Sequence, residues 1–586
     1  MTPELLLTHF DRISDAPNAV QHLRRFVLDL AVRGKLVDQK PDDGSALELL
    51  TTNPNKGPKV VSAQGTYLVP NSQAPFRVPS NWIWVPLGDI CSKTGSGSTP
   101  RGGKSVYQSS GVPFLRSQNI YDDGLRLGDV AYIDHQTHER MSGTAVQSGD
   151  LLLNITGGSI GRCCIAPTGL GEANVSQHVA IVRVAIEGLE SYLHKLVLSP
   201  YFQSFVLGEQ TGAGRGGLPK NRMDRIPVAL PPLAEQKRIV EKVNELMGLC
   251  DRLESAKNRC EIRRDRLTSA SFHYLNSEEN AEAFLRHARF CLEHLQPLTA
   301  HPEQIKQLRQ TVLNLSVRGK LTIQNPNDGR VSELLTRIQA EKVDLIGKTA
   351  VERESQDDHL SEENTPFEIP PEWQWATLRS IMVFGPQNGI SPKPSSRPDA
   401  PKAITLTATT KGFFDPKQFK RVDAIIPEDS EFWLRSGDLL FQRGNTREYV
   451  GMAAYYIGES GKFLYPDLMM KVRTSANVNL QYIHLCAVSP YARAYFSTHA
   501  TGAQATMPKI NQGILVKLPI PLPPLAEQDR IVAKARKLTV LCDRLEAQLT
   551  TAQIDGSRLL ESVLHHALND EYREINVQAA VQFNAL

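Results

Sequence analysis

Apolar residues at helical spacing occur in a segment that the chain contains twice. Residues 23–33 carry apolar side chains at intervals of three and four, and Gly34 follows, where a residue in the left-handed conformation ends many helices. Residues 308–318 repeat this pattern, with Gly319 in the place of Gly34. Each segment therefore predicts an amphipathic helix that ends at its glycine.

A longer helix is predicted after each of two Leu-Pro-Pro-Leu segments, because proline can begin a helix but not continue one. The apolar positions that follow are four and three residues apart, which is the spacing of a helix that packs along another helix. These positions are Ile239, Val243, Leu246, Cys250 and Leu253 in the first segment and Ile531, Ala535, Leu538, Cys542, Leu545 and Leu549 in the second. We expect the two helices to pair with each other and to form a spine.

Between these helices the pattern changes to short strands and polar, glycine-rich loops. Residues 151–155 and 178–185 have the composition of strands. The loops include residues 94–105, 156–163, 211–220, 385–397, 439–451 and 501–511. This alternation predicts mixed α/β domains with much polar loop.

The helical segments repeat with few substitutions. LRRFVLDLAVRGKL at 23–36 becomes LRQTVLNLSVRGKL at 308–321, LPPLAEQKRIV at 230–240 becomes LPPLAEQDRIV at 522–532, and CDRLE occurs at 250–254 and 542–546. The segments between them, about 85–225 and 377–517, share only an outline, and we call the two copies the first and second modules. One scaffold with two different middles is expected of a protein that recognises two different targets.

Composition excludes some classes of protein. The 586 residues are 41% hydrophobic and 22% charged, with a net charge of +3, which is ordinary for a soluble protein of several domains. The first residues lack the pattern of a signal peptide, and no apolar run approaches the roughly 20 residues that span a bilayer. The eight cysteines lack zinc-site spacing, so we expect reduced, mostly buried thiols in a cytoplasmic protein.

Motifs for catalysis are missing from the sequence. GSTPRGGKS at 97–105 resembles a phosphate-binding loop, but Ser98 stands where that motif needs its first glycine. Neither the Asn-Pro-Pro-Tyr segment of adenine methylases nor an HExxH or GxSxG motif occurs. We therefore expect no bond-making step in this chain, whereas a single-chain DNA-modifying enzyme, the alternative, would need a cofactor motif of its own.

The loops of both middles are rich in groups that bind nucleic acid. Arginine, amides and hydroxyls supply the donors that phosphates and base edges accept, and glycine lets the backbone approach a phosphate. The candidate DNA-binding residues of the first middle are Thr99, Arg101, Lys104, Arg116, Ser117, Gln118, Asn119, Asn154, Arg162, Arg215 and Lys220. Those of the second middle are Gln387, Asn388, Lys393, Arg443, Asn445, Thr446, Arg447, Lys471, Gln504 and Lys509.

These repeated segments resemble a known family. The paired LPPLAEQ-R-IV and CDRLE segments, the VRGKL helices and the order GSTPR, PFLRSQNI, SGDLLLNITGGSIGR, QHVAIV resemble the specificity (S) subunits of Type I restriction–modification enzymes, in the longer form with an N-terminal helical extension. The resemblance extends over essentially the whole chain. In the second middle QRGNTREYVG replaces NITGGSIGR, and the loop at 385–396 has no TPR, so the choice of residues there is less direct.

The resemblance implies an α+β fold, in which two mixed α/β target-recognition domains are separated by long antiparallel helices in a pseudo-two-fold repeat. The implied parts are an N-terminal helical region (1–70), target-recognition domain 1 (71–232), a central helical region (233–364), target-recognition domain 2 (365–524) and a C-terminal helical region (525–586). If the helices set the spacing of the DNA site, one added turn of about 5.4 Å in residues 233–275 should lengthen the spacer by one or two base pairs of about 3.4 Å.

The resemblance also implies a function and partners. Each domain would read one half of a bipartite site in double-stranded DNA, and the helices would dock two modification (methyltransferase) subunits, with two ATP-dependent restriction subunits in the full complex. S-adenosylmethionine, ATP and Mg would belong to those partners, and no cofactor or metal is expected in this chain. An assembly scaffold whose middles bind protein is the other alternative.

Overall fold

The computed structural model describes residues 16–51, 74–102, 106–208, 217–277, 280–347, 365–502 and 507–569. The chain divides into two compact units, one of residues 1–259 with 552–586 and one of residues 260–551. The divisions fall inside the two longest helices, each of 45 residues, so each unit contains a part of both.

The helices and strands are numbered here in chain order. The helices are α1 (Ala19–Val32), α2 (Glu48–Thr51), α3 (His135–Arg140), α4 (Glu190–Leu198), α5 (Pro200–Leu207), α6 (Lys220–Met223), α7 (Leu233–Ser277), α8 (Ala281–Glu293), α9 (Leu295–Leu298), α10 (Pro302–Val317), α11 (Val331–Ile346), α12 (Leu378–Ile381), α13 (Leu480–Val488), α14 (Pro490–His499), α15 (Gln512–Val516) and α16 (Leu525–Asn569). The strands are β1 (Ile83–Pro86), β2 (Cys91–Ser96), β3 (Val112–Leu115), β4 (Ile120–Tyr121), β5 (Gly124–Leu125), β6 (Ala131–Ile133), β7 (Leu151–Asn154), β8 (Cys163–Ile165), β9 (Asn174–Val175), β10 (Val179–Val184), β11 (Pro227–Leu230), β12 (Gln374–Thr377), β13 (Met382–Asn388), β14 (Lys402–Ile404), β15 (Phe419–Arg421), β16 (Leu439–Gln442), β17 (Ala453–Tyr455), β18 (Met469–Thr474) and β19 (Pro519–Leu522).

The first unit is built on an antiparallel sheet in the order β2-β10-β7-β8. In its central strands Leu152 pairs with Ile181, and both side chains are buried because helices or loops cover both faces. A second sheet has the order β6-β3-β9, and strands β1 and β11 pair at the point where the domain joins α7. The strands predicted at 151–155 and 178–185 are thereby confirmed as β7 and β10.

The second unit repeats this sheet with its own side chains. Its order is β13-β18-β16-β17, and Phe441 of β16 pairs with Met470 of β18. Strands β12 and β19 form the pair that leads into α16, while β14 and β15 form a separate two-stranded sheet. The mixed α/β character that the sequence predicts for the middles is thus confirmed in both modules.

The VRGKL helices cover the recognition domains. Helix α1 packs on α4 and α5 in the first unit, and α10 packs on α13 and α14 in the second. Gly34 has φ +69°, and a Cβ there would lie 2.5 Å from a ring carbon of Pro79; Gly319 has φ +68°, and a Cβ there would lie 2.4 Å from one of Pro370. Glycine is required at these helix ends both by the left-handed backbone and by the close proline.

The strongest repeats meet in one buried group in each unit, which we call the Trp–Glu cluster. In the first unit the carboxylate of Glu235 accepts hydrogen bonds from Trp82 Nε1 at 3.0 Å and Gln39 Nε2 at 2.6 Å. Glu235 is the Glu of LPPLAEQ, and its side chain is fully buried. The cluster therefore ties the start of α7 to β1 and to the segment after α1, because a polar group buried inside a protein needs such hydrogen-bond partners.

The Trp–Glu cluster of the second unit uses equivalent residues. Glu527 accepts from Trp373 Nε1 at 3.0 Å, from Gln324 Nε2 at 2.8 Å and from Thr322 Oγ1 at 3.1 Å. Burial raises the pKa of Glu527, and the bonds from Trp373 and Thr322 oppose that rise. The same three-way junction of strand, helix and extension is therefore built twice.

Ion pairs repeat beside these clusters. Arg238 pairs with Asp43 at 2.6 Å in the first unit, and Arg530 pairs with Asp328 in the second. Each arginine lies one turn after its cluster glutamate, and each aspartate lies in the Pro-X-Asp-Gly turn that both modules contain. The short repeated motifs are therefore partners of one another in the folded chain.

The end of each long helix packs against a VRGKL helix within the same unit. Ala19 of α1 forms a buried cluster with Leu560 and Val563 of α16 in the first unit. In the second unit Phe272 and Leu275 of α7 form a buried cluster with Cys291 and Leu298, and Leu308 of α10 packs against it. Helix α1, the first helix that the structure describes, thus takes, against α16, the kind of place that α10 takes against α7.

Candidate nucleic-acid interface

The structure separates the predicted DNA-binding residues by exposure. The exposed ones are Thr99, Arg101, Gln118, Arg162, Lys220, Lys393, Thr446, Arg447 and Lys509. The half-buried ones are Arg116, Ser117, Gln387, Asn388, Arg443 and Asn445. Three are buried, namely Asn119, Asn154 and Lys471. Lys104, Arg215 and Gln504 lie outside the described residues.

Asn154 requires a correction, because its side chain is fully buried at the end of β7. Its Nδ2 donates to Ser117 O at 2.9 Å and to Ser159 Oγ at 3.1 Å. In the second unit Gln442, at the end of β16, donates in the same way to Leu406 O at 2.8 Å. Both amides therefore hold a 3-10 turn, Ser117–Asn119 in the first unit and Leu406–Ala408 in the second, and they are not presented to a ligand.

Asn119 also has an internal role. Its Oδ1 accepts from the backbone N of Arg116 at 3.0 Å, and its Nδ2 donates to Arg126 O at 2.9 Å. The side chain, 2% exposed, closes the 3-10 turn Ser117–Asn119 and connects it to residue 126. Asn119 is therefore also corrected: the amide that the sequence offered to DNA is consumed by the loop itself.

Lys471 is buried in strand β18, a central strand of the four-stranded sheet of the second unit. Its Nζ donates to the backbone oxygens of Glu431 and Trp433 and lies 3.6 Å from a carboxylate oxygen of Asp438. Burial lowers the pKa of Lys471, and Asp438 opposes that shift. The equivalent position in β10 of the first module is Ile181, which carries no charge. The ammonium group of Lys471 therefore ties a loop to the sheet in the second module only. Because it is buried there, it is not available to DNA.

Several exposed candidates already have partners in their own domain. Lys220 pairs with Asp224 and donates to Thr94 Oγ1, and Gln118 donates to Asp129 Oδ2 at 2.7 Å. Among the described residues, Arg447 makes one long bond of 3.3 Å, to the backbone oxygen of a residue in α14. A ligand would have to displace these partners before it could use the same groups.

Two half-buried candidates of the second module, Asn445 and Gln387, are held by hydrogen bonds within their own domain. Asn445 donates to Gln442 Oε1 at 2.6 Å and accepts from the backbone N of Thr446 at 2.7 Å. Gln387 Oε1 accepts from the hydroxyl of Tyr465 at 2.8 Å. In the first module Arg116 donates to the backbone oxygen of Asp129 at 3.0 Å. These residues shape the loops around the sheet ends.

Glycine in the first loop serves packing of the protein. A Cβ on Gly97 would lie 1.9 Å from the carbonyl oxygen of Val175, and one on Gly389 would lie 2.1 Å from that of Tyr465. The two positions are equivalent, since Gly97 N donates to Val179 O and Gly389 N donates to Met469 O, the first residues of β10 and β18. Glycine at these two positions was expected to let the backbone come close to a phosphate. In the structure it lets the backbone come close to a neighbouring segment of the protein instead.

Matching hydrogen bonds identify equivalent positions beside β8 and β17, although the loop before β17 is two residues longer than the loop before β8. Asn154 N donates to Arg162 O at 2.8 Å, and Gln442 N donates to Met452 O at 2.9 Å. Arg126 N donates to Asn119 O at 2.9 Å, and Asp415 N donates to Ala408 O at 2.8 Å. Arg162 is therefore equivalent to Met452, and Arg126 is equivalent to Asp415.

In the first module these positions form an exposed group that we call the Tyr121 patch. The guanidinium of Arg162 lies over the ring of Tyr121 at 4.7 Å, and that of Arg126 lies over the same ring at 5.0 Å. Arg126 also pairs with Asp123 at 2.6 Å. Both arginines and the tyrosine are exposed, so an aromatic ring with two cations stands at the surface beside the sheet.

In the second module the chemistry of the same positions is different. Ala408 is equivalent to Asn119, because each accepts the matching backbone hydrogen bond. Two residues further along the chain, Thr410 therefore occupies the place of Tyr121. Asp415 and Met452 replace the two arginines, so two positive charges are exchanged for one negative charge and one thioether. Sequence reasoning missed Tyr121 and Arg126, because only the β4–β5 hairpin brings them against Arg162.

Other kinds of site are not found in the part of the chain that the structure describes. No group of three or more His, Cys, Asp or Glu side chains there is arranged to hold a metal ion. All eight cysteines are free thiols; six are buried, Cys91 is half-buried and Cys260 is exposed. Among the described helices, none combines the length and the apolar character needed to cross a membrane.

Comparisons with known proteins match both modules. The family model for the Type I restriction modification DNA specificity domain matches residues 79–263 and again residues 372–553. The EcoEI specificity subunit of Escherichia coli, a Type I restriction enzyme subunit, is 27% identical over 94% of this chain and 94% of its own length. The EcoAI specificity subunit of the same species is 26% identical, with the same coverage of both chains.

A solved structure shows a distant likeness. A chain from a study of complex assembly in the type I R-M system aligns with a TM-score of 0.48 and 18% identity, over 84% of this chain and 99% of that one. Membership rests on the family model, whose two matches cover more than half of the chain and include both recognition sheets. The chain is therefore a member of the Type I restriction–modification DNA specificity family, with two copies of the family's domain.

Proposed function

We propose that this chain is the DNA-recognition subunit of a Type I restriction–modification complex, in which each module reads one half of a bipartite site. One observation carries the proposal: both units contain the same Trp–Glu cluster, while the Tyr121 patch of the first module is replaced by uncharged and acidic side chains in the second. A shared attachment with different exposed side chains is the expected design when two different base sequences must be read.

The partners follow from the family. The proposed partners are two modification subunits and two restriction subunits, docked through the helical segments. Relatives named as specificity subunits of Type I restriction enzymes support partners of this kind. In this proposal methylation with S-adenosylmethionine and the ATP- and Mg-dependent steps take place in those partners, in the cytoplasm. This chain contributes recognition and performs no bond-making step.

Within the domains, the proposed contacts are the exposed side chains near the sheet ends. In the first module these are Arg162, Arg101 and Thr99, and in the second they are Lys393, Thr446 and Lys509. Lys220, Gln118 and Arg447 would join them only if DNA displaced their present partners. Contacts to phosphate should position the domain, and contacts to base edges should select the sequence.

The test is selection from a randomised DNA duplex by the full chain assembled with its modification subunit. We expect enrichment of two short base patterns separated by a spacer of fixed length, with binding that weakens as salt is raised, because phosphate contacts release counterions. Bound and unbound pools are compared by sequencing, and affinities are measured at two salt concentrations. Recovery of DNA without any base pattern would leave only the scaffold alternative.

A further inference from the structure

We propose that Arg162 reads a guanine in the half-site of the first module and that Tyr121 is the positioning residue that holds its guanidinium. This inference rests on the proposed function and makes it specific, because it names the residue, the base and the module. It adds Tyr121, which the sequence pattern did not single out, to the residues that determine specificity.

The guanidinium of Arg162 is exposed and has donors to spare. Among the residues that the structure describes, its side chain makes no hydrogen bond and no ion pair; its one contact of note is the face of Tyr121, at 4.7 Å. Nearby arginines are engaged differently: Arg116 donates to Asp129 O, and Arg126 pairs with Asp123. A stacked guanidinium keeps its N–H groups in one plane, free for a partner in that plane.

The hairpin that carries Tyr121 is fixed to the strand that follows Arg162. Tyr121 pairs with Gly124 and Ile120 pairs with Leu125 in the β4–β5 hairpin, and the side chain of Ile120 is fully buried. The carboxylate of Asp122 accepts from the backbone N of Cys163 at 3.1 Å. Ring and guanidinium are thus held by neighbouring, connected segments, which reduces the entropy lost when the arginine binds.

Two observations favour a base edge over a phosphate as the partner. Met452 occupies the place of Arg162 in the second module, yet phosphates are the same in every DNA sequence, so a phosphate contact gives no reason for the two modules to differ. In addition, the carboxylate of Asp123 pairs at 2.6 Å with Arg126, whose guanidinium lies over the same ring, and a negative charge at this patch disfavours the approach of a phosphate.

Guanine is the base that this geometry suits. Its O6 and N7 accept two parallel hydrogen bonds from a planar guanidinium in the major groove, and this is the commonest specific contact of arginine with DNA. Adenine and cytosine each place an amino group in the major groove, which gives arginine no matching pair of acceptors. A guanidinium whose plane is fixed by a tyrosine ring should discriminate more strongly than a free one.

The experiment uses the full chain with its modification subunit and a randomised bipartite duplex, and it compares wild type with Arg162→Met, Tyr121→Leu and Tyr121→Phe. Arg162→Met installs the residue of the second module. We expect it to lose roughly 10- to 100-fold of the preference for guanine at one position of one half-site, with all other positions unchanged. Tyr121→Leu should lose part of the same preference, and Tyr121→Phe, which keeps the ring face, should retain it.

The matched control is Arg140→Met, which removes an exposed arginine of the same module that bonds to Gln136 on its own helix. It should leave every base preference as it is. Thermal unfolding of each variant shows whether the domain still folds; should Tyr121→Leu unfold, Arg162→Met and Tyr121→Phe still decide the matter.

Three results would overturn the inference. Unchanged base preferences in Arg162→Met would remove Arg162 from recognition. A uniform loss of affinity on all sequences, with the salt dependence reduced by about one charge, would make it a phosphate contact. Loss of preference in Tyr121→Phe equal to that in Tyr121→Leu would deny the ring its positioning role. Failure of the wild type to select any bipartite site would instead contradict the proposed function.

Discussion

The Trp–Glu clusters and the Tyr121 patch show opposite outcomes of one duplication. Glu235 and Glu527 accept from Trp82 and Trp373 at the same distance of 3.0 Å, inside cores that exclude water. By contrast, Met452 stands where the first module has the exposed Arg162, although the hydrogen bond from Asn154 N to Arg162 O has its match in the bond from Gln442 N to Met452 O. Substituting one member of a buried hydrogen-bonded pair leaves its partner unsatisfied, which costs stability. Substituting an exposed side chain leaves no buried group unsatisfied, so such positions can differ between the two modules.

The largest expected effect comes from exchanging a whole middle. Replacing residues 85–225 by residues 377–517 of the same chain should give a protein whose two half-sites have the same base pattern, because the attachment of both middles is equivalent. Selection from a randomised duplex measures this, with the wild-type chain as control. If both half-sites of the chimera differed from those of the wild type, the assignment of one half-site to each module would fail.

Next in size is the loss of a cluster tryptophan. Trp373→Ala should destabilise the second unit by about 3–5 kcal/mol, because it leaves a large cavity and a buried carboxylate without its indole donor. Trp82→Ala should cost the first unit a similar amount. Urea unfolding of the full chain reports both, and Trp373→Phe separates the lost donor from the lost volume.

A cost near zero for one of these tryptophans, with a full cost for the other, would show that the two clusters are not equivalent. Matching costs would support the view that the framework was duplicated as one energetic unit.

A smaller, pH-dependent effect is expected from a histidine at equivalent positions of the two modules, His194, which is buried, and His484, which is half-buried. His484 Nε2 lies 3.3 Å from Ala453 O, and His194 Nε2 lies 2.9 Å from Cys163 O. Burial lowers the pKa of His484 to about 4, and burial also lowers the pKa of His194. The folded state therefore holds both imidazoles neutral at pH values where the unfolded chain takes up protons.

Because the unfolded chain binds more protons than the folded one, the free energy of unfolding should decrease as the pH falls. Stability should be full above about pH 6.5 and should fall by up to about 1.4 kcal/mol per pH unit for each histidine as the pH drops towards its folded pKa. His484→Gln should flatten part of the profile in urea unfolding measured from pH 7 to pH 4.5. An unchanged slope in that variant would mean that other groups cause the acid loss.

The smallest effect is expected at the exposed ion pairs between helices. Arg24 lies 2.7 Å from Asp251, and Arg309 lies 2.7 Å from Asp543, in equivalent pairs that include the Asp of CDRLE. Arg24→Ala and Arg309→Ala should each cost less than about 1 kcal/mol, because solvent and salt screen such pairs. Equal, salt-sensitive losses in urea unfolding would support equivalence; a loss of several kcal/mol in one would contradict it.

Much of the fold could be predicted from sequence, because its determinants are local and periodic. The strands at 151–155 and 178–185, the helix that ends before Gly34 and the long helices after the paired prolines were all predicted from spacing and are confirmed. The domain boundaries from 1–70 to 525–586 and the individual DNA contacts stay predictions.

The candidate site was predicted less well. Asn154, Asn119 and Lys471 have the chemistry of DNA contacts, but all three are buried. The partners of Asn154 and Lys471 include residues 37 and 40 positions away, whereas Asn119 is held by its own loop. Composition shows which donors a loop has and not whether the fold has already used them. Tyr121 was missed for the opposite reason, since a tyrosine in a short strand gives no signal until its ring meets Arg162.

The sequence by itself determined that the chain is a duplicated scaffold with two different middles, because identity and hydrophobic spacing are readable in one dimension. It also determined where the helices begin and end, since proline and glycine act on their own backbone. Only the tertiary structure decided which repeated motifs are partners, that the N-terminal helix packs on the end of α16, and that Arg162 lies against Tyr121. Those contacts join residues tens to hundreds of positions apart, and they exist only once the sheets and helices have closed around them.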